Sequence, residues 1–502
     1  MPWPRNSLIQ GIALLASFAA SAAFAAPDAP ALYREHCAAC HGADRFGESG
    51  PALLPENLGR LRPEAAAKVI ADGRPASQMQ GFADRLSADD IAALAKWIYT
   101  PIPIPEWGER QIAASRVVHA KPAELPAKPV HQADPLNLFT VVEIGDHHVT
   151  ILDGDRFEPL WRFPSRIALH GGAKYSPDGR FVYLGSRDGW VGKYDLYGLK
   201  PVLEARVAVN TRNIAVSSDG RWVAAGNGLP PTLAILDADD FSVRQVIAIK
   251  DERGATSRVS AVYDAEPRKS FILALRDIPE IWEVSYREKS RADSFPVRRI
   301  RLEESIDDFF FDQAYKHLIG ASRDGARGQV VDLDAGRKIA DVALPGMPHL
   351  GSGITFEHEG RQVLATPHIR EGAVSIVDMK DWRTIKRIAT AGPGFFMRSH
   401  ENTPYAWTDS FLSPTKKDTL QVIDKRTLEI VRTLTPAPGK TAAHVEFTRD
   451  GRYALVSVWE DDGALVVYDA ATFAEVKRLA MRKPSGKYNV HNKITRSAGT
   501  SH

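Results

Sequence analysis

Cysteine is scarce, with two in 502 residues. That excludes a disulfide-rich scaffold and a four-cysteine zinc site. Neither sign of charge prevails. The 64 Lys and Arg against 62 Asp and Glu leave a formal net charge of +2, which gives no electrostatic reason to expect nucleic acid or an acidic membrane surface as partner. Long apolar runs are also lacking. No segment beyond the N-terminal stretch approaches the roughly 18 apolar residues of a membrane span, so the protein is not expected to be membrane-embedded. Charged residues at 25% and hydrophobic residues at 44% are ordinary globular values and argue against wholesale disorder. At roughly 150 residues per domain the length suggests about three domains, although a large all-β barrel or propeller uses more chain per domain.

Charge is nearly absent at the start, where Arg5 is the only charged residue before position 28. The apolar stretch Ile12 to Ala20 and the small-residue run Ala23-Phe24-Ala25-Ala26 follow. A basic start, a short apolar core and an A-x-A end predict a cleaved secretory signal over residues 1–25, cut after Ala25 or Ala26. A membrane anchor is the alternative, but the run is short, alanine-rich and without a basic stop-transfer flank. The mature chain is expected in the periplasm.

Both cysteines fall in Cys37-Ala38-Ala39-Cys40-His41. This C-x-x-C-H pattern attaches a c-type haem. Two thiols form thioethers to the vinyl groups of one porphyrin, and the adjacent histidine ligates iron. A redox disulfide would not need His41, and a zinc site would need a second cysteine pair. The sixth ligand is placed at Met79, ahead of an amphipathic helix whose Leu86, Ile91, Leu94, Ala95 and Ile98 face the haem. His119 and His131 remain alternatives. Residues 26–100 read as a small all-α class I cytochrome c domain, which carries electrons when both axial positions are filled.

Residues 101–135 carry Pro101, Pro103, Pro105, Pro122, Pro126, Pro129 and Pro135, a density that predicts an extended linker. Beyond it the chain repeats. Tyr175-Ser176-Pro177-Asp178-Gly179-Arg180 returns in form at 216–221, 356–361 and 447–452, each an Asp-Gly or Glu-Gly turn between apolar runs. A second marker is an apolar strand ending in Asp, at Asp153, Asp195, Asp237, Asp332, Asp378, Asp424 and Asp469. The separations are 42, 42, 95, 46, 46 and 45 residues. The 95 is two periods with one degraded copy near Val284-Ser285-Tyr286. Eight units of this length predict an all-β eight-bladed propeller over about residues 136–481, within a domain of 136–502. Ligands of propellers sit where the connections entering successive blades converge.

Histidines gather near those entrances: His170, His349, His368, His400 and His444. Arg212, Arg258 and Arg370 lie close to them in sequence. His147, His148 and His358 read as turn residues. Imidazoles ligate iron or move protons near neutral pH, and arginines fork onto carboxylates. Together they suit a second tetrapyrrole on the propeller axis.

A cytochrome c segment followed by an eight-bladed propeller resembles the cytochrome cd1 family over nearly the whole mature chain. His170 ahead of its Gly-Arg turn resembles the family's proximal haem d1 ligand. Pro348-His349 with Gly351 and Gly353, and His368, resemble its two distal-pocket histidines. Ser457-Val458-Trp459 and Gly486-Lys487-Tyr488-Asn489-Val490 are similar to its closing blade and tail. The resemblance implies one of three roles. One is nitrite reduction. Another is the last step of haem d1 synthesis, in which a dehydrogenase oxidises a propionate of dihydro-haem d1 to the acrylate. The third is haem d1 carriage without chemistry. The NirF-type branch lacks the haem c segment, so Cys37, Cys40 and His41 argue against it. Bulky Phe395 and Phe396 after Ala391-Gly392-Pro393-Gly394, His444 where the reductases do not usually place histidine, and Tyr488 and His491 where Phe and Tyr are expected all favour the dehydrogenase. In that reading haem c is the covalent cofactor, and dihydro-haem d1 and haem d1 are substrate and product. His170 and His349 flank the iron with His368 nearby, Arg212 and Arg258 hold carboxylates, His444 is the base, and Tyr488 orients or relays. A soluble periplasmic electron acceptor is implied. The nitrite reductase and the NirF-type protein are candidate partners.

Overall fold

The computed structural model describes residues 26–48, 50–58, 61–73, 79–103, 105–287, 294–322 and 326–496. The leader read over residues 1–25 lies outside the described residues. No described helix is long and apolar enough to cross a membrane.

The first described segment is helical: Ala29–His36, Ala38–His41, Pro63–Asp72 and Ala88–Trp97. Local chemistry sets the starts. Asp28 accepts the N–H of Ala31 at 3.1 Å. Ser87 and Asp90 bond each other's backbone N–H reciprocally, a capping box that satisfies two donors the helix cannot. The helices close over Tyr33, Ile70, Phe82 and the predicted Leu86, Ile91, Leu94, Ala95 and Ile98, all buried. Removing each large aliphatic side chain from water contributes about 1.5–3 kcal/mol.

Eight antiparallel sheets follow. Seven run in sequence order from the axis outward, each with four strands from one stretch of chain. Blade one is different. Its strands Leu138–Glu143, His148–Asp153 and Glu158–Pro164 take their fourth member, Pro484–Asn489, from the C-terminus. Phe139 faces Asn489 and Thr140 faces Tyr488 in that pairing. The last strand thus ties the ring shut, and the eight-bladed expectation is borne out.

The Asp repeat now has a cause. Each of the seven ends the third strand of its blade, and Ser285 ends the strand of the degraded copy. The carboxylate caps the turn into the fourth strand. Asp332 accepts N–H from Asp334 and Ala335 at 2.8 and 2.9 Å, and Asp469 accepts from Ala471 and Thr472 at 3.1 and 2.9 Å. Such local bonds are what fit Asp to turns. The Asp-Gly turns join first to second strands, with Gly179, Gly220 and Gly451 each at φ 74, a region that favours glycine. Both sets of turns therefore share one end of the ring. Blade-to-blade connections and second-to-third strand loops share the other.

The 101–135 stretch differs from the extended linker its prolines predict. Helix Glu109–Ser115 falls in a proline-free window. Val117–Val118 then adds an outer strand to blade two, pairing with Leu203 and Glu204. His119 Nε2 lies 3.0 Å from Glu204 Oε2, and His131 Nε2 bonds the Leu196 carbonyl at 3.1 Å. Both histidines brace blade two and are kept from the cytochrome core.

Substituting Asp469→Ala removes three hydrogen bonds at one turn and lowers stability by about 1–2 kcal/mol, read from the urea midpoint. Tetrapyrrole binding stays unchanged, because that turn lies at the end of the ring away from the histidines.

Candidate functional site

Two sites emerge, one in each domain. In the helical domain His41 is 7% exposed, and its Nδ1 donates to the Pro51 carbonyl at 2.7 Å. The proton is thereby fixed on Nδ1, and the lone pair of Nε2 is left for a metal. Cys37 and Cys40 are free thiols, and Met79 packs against the same apolar core. Thiols, imidazole and apolar wall fit a covalent haem.

On the propeller, the face of blade-to-blade connections gathers most of the predicted residues. His170, before strand Lys174–Tyr175, donates Nδ1–H to the Arg212 carbonyl at 2.7 Å. His349, before strand Ile354–His358, donates Nδ1–H to the Phe395 carbonyl at 2.7 Å. Each therefore has Nε2 as its acceptor nitrogen, as His41 does, and at His170 that nitrogen accepts from guanidinium groups. Around His170 Nε2 stand the Arg187 guanidinium at 3.0 Å and that of Arg212 at 3.4 Å. Burial lowers the His349 pKa.

His368 behaves differently. It is 0% exposed, and its Nε2 bonds Ser375 Oγ within blade six at 2.8 Å. Burial pushes its pKa down to about 4. It lies under the site, braced against its own blade, and does not share the arrangement of the other histidines. Arg258 is also committed elsewhere: it forks onto Asp277, with Nε at 2.9 Å from Oδ2. His400 sits past the far end of strand Met397–Ser399, where its Nε2 bonds the Arg449 carbonyl at 3.1 Å. It belongs to the opposite face, not to an entrance.

His444 lies within the inner strand Ala442–Phe447 and is a bulge. The register to the next strand slips between Ala443 and Val445, and His444 has φ 52. Such a bulge re-aims a side chain out of the ladder. Its ring lies 4.7 Å from Phe396 and 5.2 Å from Tyr488, the latter edge-on. Phe396 is 4.8 Å from Phe395, which is 3.9 Å from His349. A row of rings thus joins His349 to Tyr488. On its other side Tyr488 crowds Gly172, where a Cβ would come within 3.0 Å of the ring. Burial pushes the Tyr488 phenol up to about 12.

Two buried ionisable groups hold this row, and neither stands out in the sequence. Asp409 ends strand Tyr405–Asp409 and accepts the N–H of Phe395 and Phe396 at 2.8 and 3.2 Å and of His444 at 3.2 Å. Burial raises it to about 6. Lys487, on the ring-closing strand, donates to the His444 carbonyl, and its Nζ is 3.4 Å from His444 Nδ1. Burial and the neighbouring Lys487 hold the His444 imidazole well below its usual range, so it is neutral. Arg398 pairs with Glu446 at 3.4 Å behind it. Among the described residues no three His, Cys, Asp or Glu converge to hold a bare metal ion; a porphyrin iron needs only axial ligands.

Comparison with known proteins agrees with this layout. The Cytochrome D1 heme domain model matches residues 133–493, and the model of cbb3-type cytochrome c oxidase subunit III matches residues 25–98. The chain therefore belongs to the cytochrome d1 haem-domain family. A dihydro-heme d1 dehydrogenase of Pseudomonas aeruginosa is 58% identical over 475 residues, covering 94% of this chain and 95% of its own. A nitrite reductase of Stutzerimonas stutzeri is 26% identical, covering 97% of both chains. Protein NirF of Pseudomonas aeruginosa is 29% identical but covers only 71% of this chain. The solved dihydro-heme d1 dehydrogenase NirN in complex with DHE has a TM-score of 0.89 at 58% identity, covering 92% of this chain and 99% of that one.

Asp409→Asn turns an amide N–H toward one of the backbone donors it now accepts. The expected loss is about 1–3 kcal/mol in urea denaturation, the penalty of leaving a buried donor unpaired. The same variant displaces His444, visible as a changed absorption spectrum of the bound tetrapyrrole.

Proposed function

We propose that this chain is a periplasmic dihydro-haem d1 dehydrogenase, completing haem d1 by converting a propionate side chain to an acrylate. The observation that carries the reading is the bulged His444 against Tyr488, in a chain 58% identical over 94% of its length to a dihydro-heme d1 dehydrogenase.

The substrate lies on the propeller axis with His170 as one iron ligand and His349 on the opposite face. The Nδ1–H bonds to the Arg212 and Phe395 carbonyls hold both rings in the ligating tautomer. His368 keeps a bracing role. As the iron takes His170 Nε2, Arg187 and Arg212 turn from that nitrogen onto a substrate carboxylate. Arg258 would first have to release Asp277 and is not needed.

Forming the acrylate breaks two C–H bonds on adjacent carbons and yields two protons and two electrons. His444 takes the first proton on its imidazole, whose Nδ1 lies 3.4 Å from Lys487 Nζ. Its neutrality leaves it able to accept, and the Lys487 bond to its carbonyl keeps the ring in place. Tyr488, a protonated phenol, orients the side chain and relays the proton. In the helical domain Cys37 and Cys40 would hold haem c, with His41 and Met79 as the residues to ligate its iron, and the group would supply a one-electron acceptor there. Two electrons per product therefore require a soluble periplasmic acceptor. The nitrite reductase and the NirF-type protein of the same denitrification system are the partners for handing over the tetrapyrrole.

Purified protein mixed with dihydro-haem d1 and an acceptor should form haem d1 while haem c is reduced. In His444→Ala the tetrapyrrole still binds and acrylate formation falls by about 10²–10⁴, the usual worth of a general base. Wild-type turnover in that variant overturns the base assignment. Binding without conversion in the wild type points to a carrier, and nitrite turnover at reductase rates points to the reductase.

A further inference from the structure

The helical domain rests on the propeller face that holds His170. Residues 46–48 and 50–57 meet the loops of blades two and three. Ala52 and Leu54 are buried against Val209 and Leu229. Arg206, 8% exposed, donates to the Gly47 and Phe46 carbonyls across the boundary and to the Asp188 carbonyl at 2.9 Å. One side-chain bond stands out at this seam: the buried Asp188 carboxylate accepts the Ala52 N–H at 3.3 Å.

That bond lies between the two histidines. His41 Nδ1–H donates to the Pro51 carbonyl at 2.7 Å. The same peptide group carries the Ala52 N–H that Asp188 accepts. Asp188 follows Arg187, whose carbonyl accepts the Thr211 N–H at 3.1 Å. Thr211 precedes Arg212, whose carbonyl accepts His170 Nδ1–H at 2.7 Å. Four hydrogen bonds and the short peptide stretches between them thus join one imidazole to the other.

We infer that electrons leave the propeller pocket for haem c along this bonded path, and that Asp188 is the positioning residue that closes it across the domain boundary. Each event moves one electron: the propeller-bound tetrapyrrole is oxidised and the haem c iron reduced, with no bond made or broken. A carboxylate or amide oxygen at position 188 suffices, since the path uses it only as an acceptor for Ala52. The inference rests on His41 and His170 as axial ligands and does not depend on which reaction the pocket catalyses.

The test uses the full chain with covalent haem c and haem d1 bound. Haem c is reduced by a rapid pulse, and its equilibration with the bound tetrapyrrole is followed. Because haem d1 is the product, the readout is independent of dehydrogenation, so failure of the proposed function and failure of this path are separate results. Asp188→Ala should slow equilibration several-fold, with the haem c midpoint potential unchanged. Asp188→Asn should retain the wild-type rate, as its side-chain oxygen still accepts from Ala52. Should Asp188→Ala release the domain, as seen by small-angle scattering, Ala52→Pro removes the donor with Asp188 in place and carries the same expected slowing, read with the haem c spectrum unchanged. An Asp188→Ala protein, still docked, that equilibrates at the wild-type rate overturns the inference, and so does Asp188→Asn equilibrating as slowly as Asp188→Ala.

Discussion

Closure of the ring by the C-terminal strand is the constraint on which the rest depends. Pro484–Asn489 pairs with Leu138–Glu143, joining residues more than 300 apart in sequence and leaving blade one no open inner edge. The same strand carries chemistry. Lys487 reaches the His444 carbonyl, and Tyr488 lies edge-on to the His444 ring. Tyr175 donates to the Tyr488 carbonyl at 2.9 Å and accepts from the Thr140 hydroxyl at 2.9 Å, locking first and second blades to it. Asn137 takes N–H bonds from Asn489 and Arg449 on either side of the joint. Without that strand the ring would open, and the residues proposed to move protons would part.

A single device recurs at the three histidines proposed as iron ligands. His41, His170 and His349 each donate Nδ1–H to a backbone carbonyl at 2.7 Å. His368 instead uses Nε2 for Ser375. A neutral imidazole has one donor and one acceptor nitrogen, so the carbonyl decides which is left for a metal. Asp409 extends the order from the metal side to the proton side. By gathering N–H groups of Phe395, Phe396 and His444 it fixes the carbonyl that holds His349 and the bulge that aims His444.

Much of this was legible in the sequence. The Cys37-to-His41 motif and the Asp markers show because chemistry demands those residues at fixed spacing. Even the weakened repeat was readable, as Ser285 ends a strand where the others have Asp. The linker misled because proline density was read over the whole stretch, while Glu109–Ser115 and Val117–Val118 occupy the window between its prolines. Histidine placement failed where loop geometry decides. His368 and His349 both lie near the face, but only the backbone shows that one turns into its blade. Arg258 reads in sequence as a carboxylate clamp, but the carboxylate it holds is that of Asp277 in its own chain. Asp409, Lys487 and Asp188 carried no signal at all, since a buried ionisable group reads in sequence like a surface one, and their partners are 13 to 136 residues away.

The account makes the two domains one device, with chemistry on the propeller and electrons leaving through haem c. Its most direct test is the count of one-electron acceptor reduced for each haem d1 formed, in anaerobic turnover with dihydro-haem d1. Two equivalents per product, with haem c passing through its reduced form, is the predicted result. Haem d1 appearing while haem c stays oxidised and no acceptor is consumed would contradict it.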